Sequence, residues 1–107
     1  MQFPDDANGD MLQLLLESGL VLDQPTELDF YVFFKRQDKA ESALTTMAER
    51  YPDGRLSLAL DSAQQWELKL TQQVPLNYAA ITEFESGLEA DCKQLGGKYD
   101  GWGVQEP

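Results

Sequence analysis

The hydrophobic pattern changes period several times along the chain, and its strongest strand signal is Leu28-Asp29-Phe30-Tyr31-Val32-Phe33-Phe34. Side chains alternate across a strand, so Leu28, Phe30, Val32 and Phe34 share one face and Tyr31 and Phe33 share the other. A strand apolar on both faces is usually central and covered on both sides. The rest of the chain must then supply two covers, or one cover and an exposed aromatic platform. Leu56, Leu58 and Leu60 alternate with Arg55, Ser57 and Ala59, and Trp66, Leu68 and Leu70 alternate with Glu67, Lys69 and Thr71. A hairpin-length loop separates these two runs, which predicts an antiparallel pair with the leucine faces on the same side.

Helical spacing occupies the intervals. Met11, Leu12, Leu15 and Leu16 predict a first helix, with Asn8 or Asp10 as its cap and Gly19 as its terminator. Ala40, Ala43, Leu44, Met47, Ala48 and Tyr51 predict a second over residues 38–51, stopped by Pro52-Asp53-Gly54. The longest, residues 76–95, follows Pro75 and carries the stripe Tyr78, Ile81, Phe84, Leu88, Cys92 and Leu95, with Gly87 inside it and Gly96-Gly97 at its end. Residue 20 to residue 26 reads as a connection in which Pro25 fixes the approach to the strand. The final run, Lys98 to Val104, is short and glycine-interrupted, as expected of a bulged edge strand.

In order, this is a helix followed by strand–helix–strand–strand–helix–strand: an α+β, ferredoxin-like βαββαβ antiparallel sheet with an additional N-terminal helix. A single domain spans residues 1–107, with the extra helix at about 8–18 and the core at about 27–105. Right-handed crossovers place the first and third strands centrally and both repeat helices on one face. The leucine-rich first helix is the expected cover for Tyr31 and Phe33. Packing at a sheet edge or in a homodimer contact are the other uses open to it.

Charge adds what periodicity does not show. Eight basic residues stand against 19 acidic ones, a net charge of −11, and seven acids precede the first cation, Lys35. Such a field attracts a basic partner, and it disfavours direct nucleic-acid binding by repelling phosphate. No apolar run approaches the ~20 residues of a membrane span, and residues 1–6 lack the basic region and apolar core of a signal peptide. The simplest location is the cytoplasm.

Catalytic chemistry is sparse. The chain has no histidine, and its one cysteine, Cys92, falls on an apolar helix stripe rather than beside a base. No phosphate loop or metal-ligand spacing is present, and Glu83, Glu85 and Glu89 read as a solvated helix face. Asp6, Asn8 and Asp10 have a superficial likeness to a calcium loop but lack its length and terminal glutamate, so capping is the better account. The expectation is a non-enzymatic protein with no cofactor and no metal. Tyr31 and Phe33 resemble the base-stacking aromatics of RNA-recognition modules, but the surrounding charge is wrong and core packing is favoured. Tyr99-Asp100-Gly101-Trp102-Gly103 reads first as a twisted edge strand capping the core and second as an interface anchor.

Phe3-Pro4-x-Asp6-x-x-Gly9-Asp10, then Gly19 and Pro25 before Asp29-Phe30, and Tyr99-Asp100-Gly101-Trp102-Gly103 at the end, resemble the regulator of ribonuclease E activity B family in the expected order. The resemblance implies a ferredoxin-like domain that acts by binding protein: the inhibitory member binds the arginine-rich C-terminal part of ribonuclease E and alters RNA decay. Tyr99, Asp100, Trp102, Asp5, Asp6 and Asp10 are then the candidate partner-binding residues. The alternative function is a standalone module for another protein, such as a toxin-neutralising partner.

Overall fold

The computed structural model describes residues 7–21, 23–61 and 63–104. Within them the order is α1 (Ala7–Glu17), β1 (Pro25–Phe34), α2 (Gln37–Arg50), β2 (Arg55–Leu60), β3 (Trp66–Pro75), α3 (Tyr78–Leu95) and β4 (Lys98–Val104). The four strands form one sheet in the order β2-β3-β1-β4, and every neighbouring pair is antiparallel. β1 and β3 are therefore central, as the both-sided apolar pattern of β1 requires.

β1 begins earlier than its aromatic run suggests. Pro25 pairs with Pro75 and Thr26 with Val74, so each strand of the central pair runs ten residues. Beyond Pro25 the pairing is extended by the Asp23 N–H to the Leu76 carbonyl (2.9 Å) and the Leu76 N–H to the Gln24 carbonyl (3.0 Å). These bonds hold Leu76 outside α3, whose cap is instead Asn77, its side chain accepting the Ala80 N–H at 2.8 Å.

Leu28, Phe30, Val32 and Phe34 face the helices together with Leu68, Leu70, Leu88, Ile81 and Met47, and all of these are essentially fully buried. α1 and α3 end in the same way. Gly19 and Gly96 adopt φ of +99° and +83°, the following N–H groups of Leu20 and Gly97 reach back to the Leu15 and Cys92 carbonyls, and the helices stop there. Gly97 has a second reason to lack a side chain, because a Cβ there would sit 2.6 Å from the Phe34 ring.

α1 does not cover the second face of the sheet. It lies beside α3 in the helical layer, with Leu12 fully buried and Met11 and Leu15 packed against the same core. The open face explains why. Glu27, Asp29, Glu67, Lys69, Arg55 and Lys98 alternate with Tyr31 and Phe33 there, and a leucine stripe laid over them would desolvate those charges without pairing them. Tyr31 and Phe33 are left half-buried. Asp29 is the one carboxylate drawn well out of solvent on this face, and the Thr71 hydroxyl donates to it. Asn8 and Asp10 lie within the first turn of α1, so neither stands at the capping position, which falls outside the described residues.

Candidate functional site

β4 begins with Lys98 and Tyr99 paired to Phe33 and Val32, and its register then slips: Val32 opposes Tyr99 and Tyr31 opposes Gly101. Asp100 is the extra residue of this bulge, and Gly101 takes it up with φ +134°, a conformation open mainly to glycine. The slip brings Trp102 opposite Phe30, on the helix-facing side.

Trp102 is 9% exposed, and its indole N–H donates to Asn8 Oδ1 at 2.8 Å. The Asn8 amide in turn donates to the Glu85 carboxylate and to Thr82 Oγ1, the latter at 3.3 Å. The other Glu85 oxygen accepts the Tyr99 hydroxyl. One cluster thus joins α1, α3 and β4, and it links residues 94 positions apart in sequence. Burial, followed by the bond to Glu85 and its charge, drives the Tyr99 hydroxyl pKa well above the usual phenol range. Tyr99 therefore remains a donor at any ordinary pH, and the cluster is a fixed latch rather than a proton-transfer site.

The candidate residues are not one patch. Tyr99 and Trp102 belong to the latch, Trp102 in the core position that was the first of its two readings. Asp100 is exposed at the bulge, on the rim of a cleft at the C-terminal end of β1. Asp10 is exposed on α1, and Asp5 and Asp6 lie outside the described residues. Sequence reasoning missed Glu85, which reads as one more solvated acid until its two oxygens are seen occupied. It also missed Asn8, whose position inside α1 turns a supposed cap into the centre of the latch.

Charge is distributed unevenly over this scaffold. α1 carries Asp10 and Glu17 exposed and no cation, and α3 beside it carries Glu83 and Glu89 exposed, with Lys93 in its last turn as its sole cation. Leu14 stands 60% exposed on the same helix as Asp10 and Glu17. On the far side of α3, Asp91 is engaged by Arg50 and by the Tyr51 hydroxyl (2.9 Å), joining α2 to α3. Cys92, beside it, is buried, and burial reinforced by Asp91 and Glu89 pushes its thiol up to about 12. A nucleophilic thiolate is not accessible there. No group of acidic, histidine or cysteine side chains among the described residues is arranged to hold a metal ion.

The model of a family described as "Regulator of ribonuclease activity B" matches residues 5–104. No curated protein matches the chain.

Proposed function

Because the chain belongs to the regulator of ribonuclease activity B family, we propose that it works without catalysis, by binding a basic protein partner and thereby modulating ribonuclease activity. The observation that carries this reading is the acidity of the adjacent helices α1 and α3: Asp10 and Glu17 are exposed on the same helix as Leu14, Glu83 and Glu89 are exposed on α3, and α1 offers no cation. A flank of this kind attracts an arginine-rich segment over distance, and an apolar residue within it gives the encounter a short-range contact. The arginine-rich C-terminal part of ribonuclease E is the partner implied by the family resemblance. The absence of histidine from the sequence and the suppressed reactivity of Cys92 support a non-enzymatic role. No helix among the described residues is long and apolar enough to cross a membrane, and the cytoplasm, where RNA is turned over, is the proposed place of action.

In this reading the latch at Trp102 does not touch the partner. It holds α1 against α3 so that the two acidic helices present one surface. The test is titration of an arginine-rich segment of ribonuclease E against the wild-type chain and against Asp10→Lys/Glu17→Lys and Glu83→Lys/Glu89→Lys. Affinity should fall with each pair and with added salt. Salt-independent binding, or equal binding by all three proteins, would remove the electrostatic reading.

A further inference from the structure

The strongly acidic chain has one basic pole. At the C-terminal end of β1, Lys35, Arg36 and Lys39 meet Lys98 from the start of β4, so four of the chain's eight cations line a single cleft of about 750 Å³. Antiparallel pairing of β1 with β4 makes this meeting obligatory, since Phe33 lies directly opposite Lys98. The α3–β4 turn at Gly96 and Gly97 forms the floor, and Gly96 lies close to the Lys39 stem.

Two carboxylates also line the cleft, where the cations outnumber them four to two. Asp61 is committed to its own loop, accepting the backbone N–H groups of Ala63 and Gln65 at 2.9 Å. Asp100 is exposed at the bulge. Arg36 is paired with Asp38, but Lys35, Lys39 and Lys98 have no ion-pair partner among the described residues. Three ammonium groups without an ion-pair partner line the cleft from two chain segments, and an anion entering it is attracted by all three. Phe33 supplies an apolar ring wall on one side of this cleft. Across β3, Glu67 stands opposite Phe33 and confines an anion to the Lys98 side of that ring.

The geometry points to a binding site for a nucleoside phosphate, its phosphate held by Lys35, Lys39 and Lys98 and its base lying against Phe33. The cleft falls in the size range of small-ligand sites. A compact ligand fits the charge distribution better than a long polyanion, because phosphates extending beyond the cleft would meet a surface with net charge −11. The phosphate belongs either to a free nucleotide or to the 5′ end of a short RNA. The site is distinct from the acidic flank and does not depend on the partner proposed there.

The test is amide chemical-shift titration of the full chain with adenosine 5′-monophosphate, adenosine, inorganic phosphate, and a short single-stranded RNA with and without its 5′-phosphate. Saturable shifts confined to residues 33–39 and 96–100, seen with the monophosphate and weaker with adenosine or phosphate alone, are expected. Lys39→Ala and Lys98→Ala, both changes at exposed residues, should each weaken binding about tenfold, as expected for losing a charge-assisted contact. Phe33→Leu should remove the preference for the nucleotide over phosphate. Shifts produced by the RNA only when it is 5′-phosphorylated would make a strand end the source, and shifts from the monophosphate alone would make it a free nucleotide. Absence of saturable shifts from both, shifts located elsewhere, or RNA binding indifferent to the 5′-phosphate would overturn the assignment.

Discussion

Replacing Asn8 with alanine tests the latch most directly. The change strands the Trp102 indole N–H in a residue only 9% exposed and removes one of the two donors to Glu85. Leaving a buried donor unpaired costs about 1–3 kcal/mol. Alanine recovers roughly 0.5 kcal/mol of helix propensity over asparagine inside α1. The net expectation is a loss of about 1–2 kcal/mol, which for a domain near 100 residues lowers the Tm by roughly 5–15 °C. Trp102→Phe attacks the same bond from the other side, keeping an aromatic ring in place while leaving Asn8 Oδ1 without its indole donor. If the latch is one unit, the double variant will be about 1 kcal/mol more stable than the sum of the single losses predicts. Urea melts of the four proteins supply the cycle, and amide hydrogen exchange in α1 reports whether the helix has come loose. Single losses that sum to the double within ~0.3 kcal/mol would refute the idea of one coupled cluster. The acidic flank adds a functional readout, since loosening α1 should weaken binding of a basic segment even though neither Asn8 nor Trp102 reaches it.

Two glycines should respond to alanine with opposite signs. A Cβ at Gly87 meets nothing within 4 Å, so Gly87→Ala should stabilise α3 by roughly 0.5–1 kcal/mol, whereas at Gly97 it would sit 2.6 Å from the Phe34 ring, and Gly97→Ala should cost about 1–3 kcal/mol; thermal melts of both variants decide. The hydroxyls of Tyr31, Tyr51 and Tyr99 all have pKa values raised above 10, each first by burial and then by neighbouring carboxylates, among them Asp29, Asp91 and Glu85 respectively. Unfolded tyrosine loses its proton at about pH 10, while these remain protonated in the folded chain, so the folded state holds more protons and stability should fall as pH rises through and above 10. Urea melts at several alkaline pH values should show that slope, flattened in Tyr99→Phe; a slope unchanged by that substitution would contradict the assignment.

The sheet was legible in the sequence because its signals are local and redundant. β1 is apolar on both faces, β2 and β3 alternate in step, and glycines mark the bulge of β4. Even the central position of β1 follows from its own residues. The position of α1 was not legible. The stripe Met11, Leu12 and Leu15 says that the helix buries one face but not which neighbour receives it. The answer lies in polar residues on a different element, namely Glu27, Glu67 and Lys69 on the open face of the sheet. The placement of the candidate residues was hidden for the same reason. Trp102 and Tyr99 read first as capping the core and second as an interface anchor, and the register slip at Asp100, which no local pattern shows, turns Trp102 inward. The basic pole was partly visible as Lys35, Arg36 and Lys39 clustered in a chain with few cations. Lys98 joins them only through strand pairing, and the net charge of the whole chain conceals the group.

The latch also sets an order of events for a chain made from its N-terminus. α1 leaves the ribosome before its hydrogen-bonding partners: Thr82 lies 74 residues behind Asn8, Glu85 77 and Trp102 94. At ~5–20 residues per second, α1 must wait several seconds with Leu12, now fully buried, still exposed to solvent. During that interval the leucine-rich helix is available to chaperones or to a second nascent chain, and the acids around it limit the latter by mutual repulsion. The charge density proposed to attract a basic partner in the finished protein therefore also protects the unfinished one.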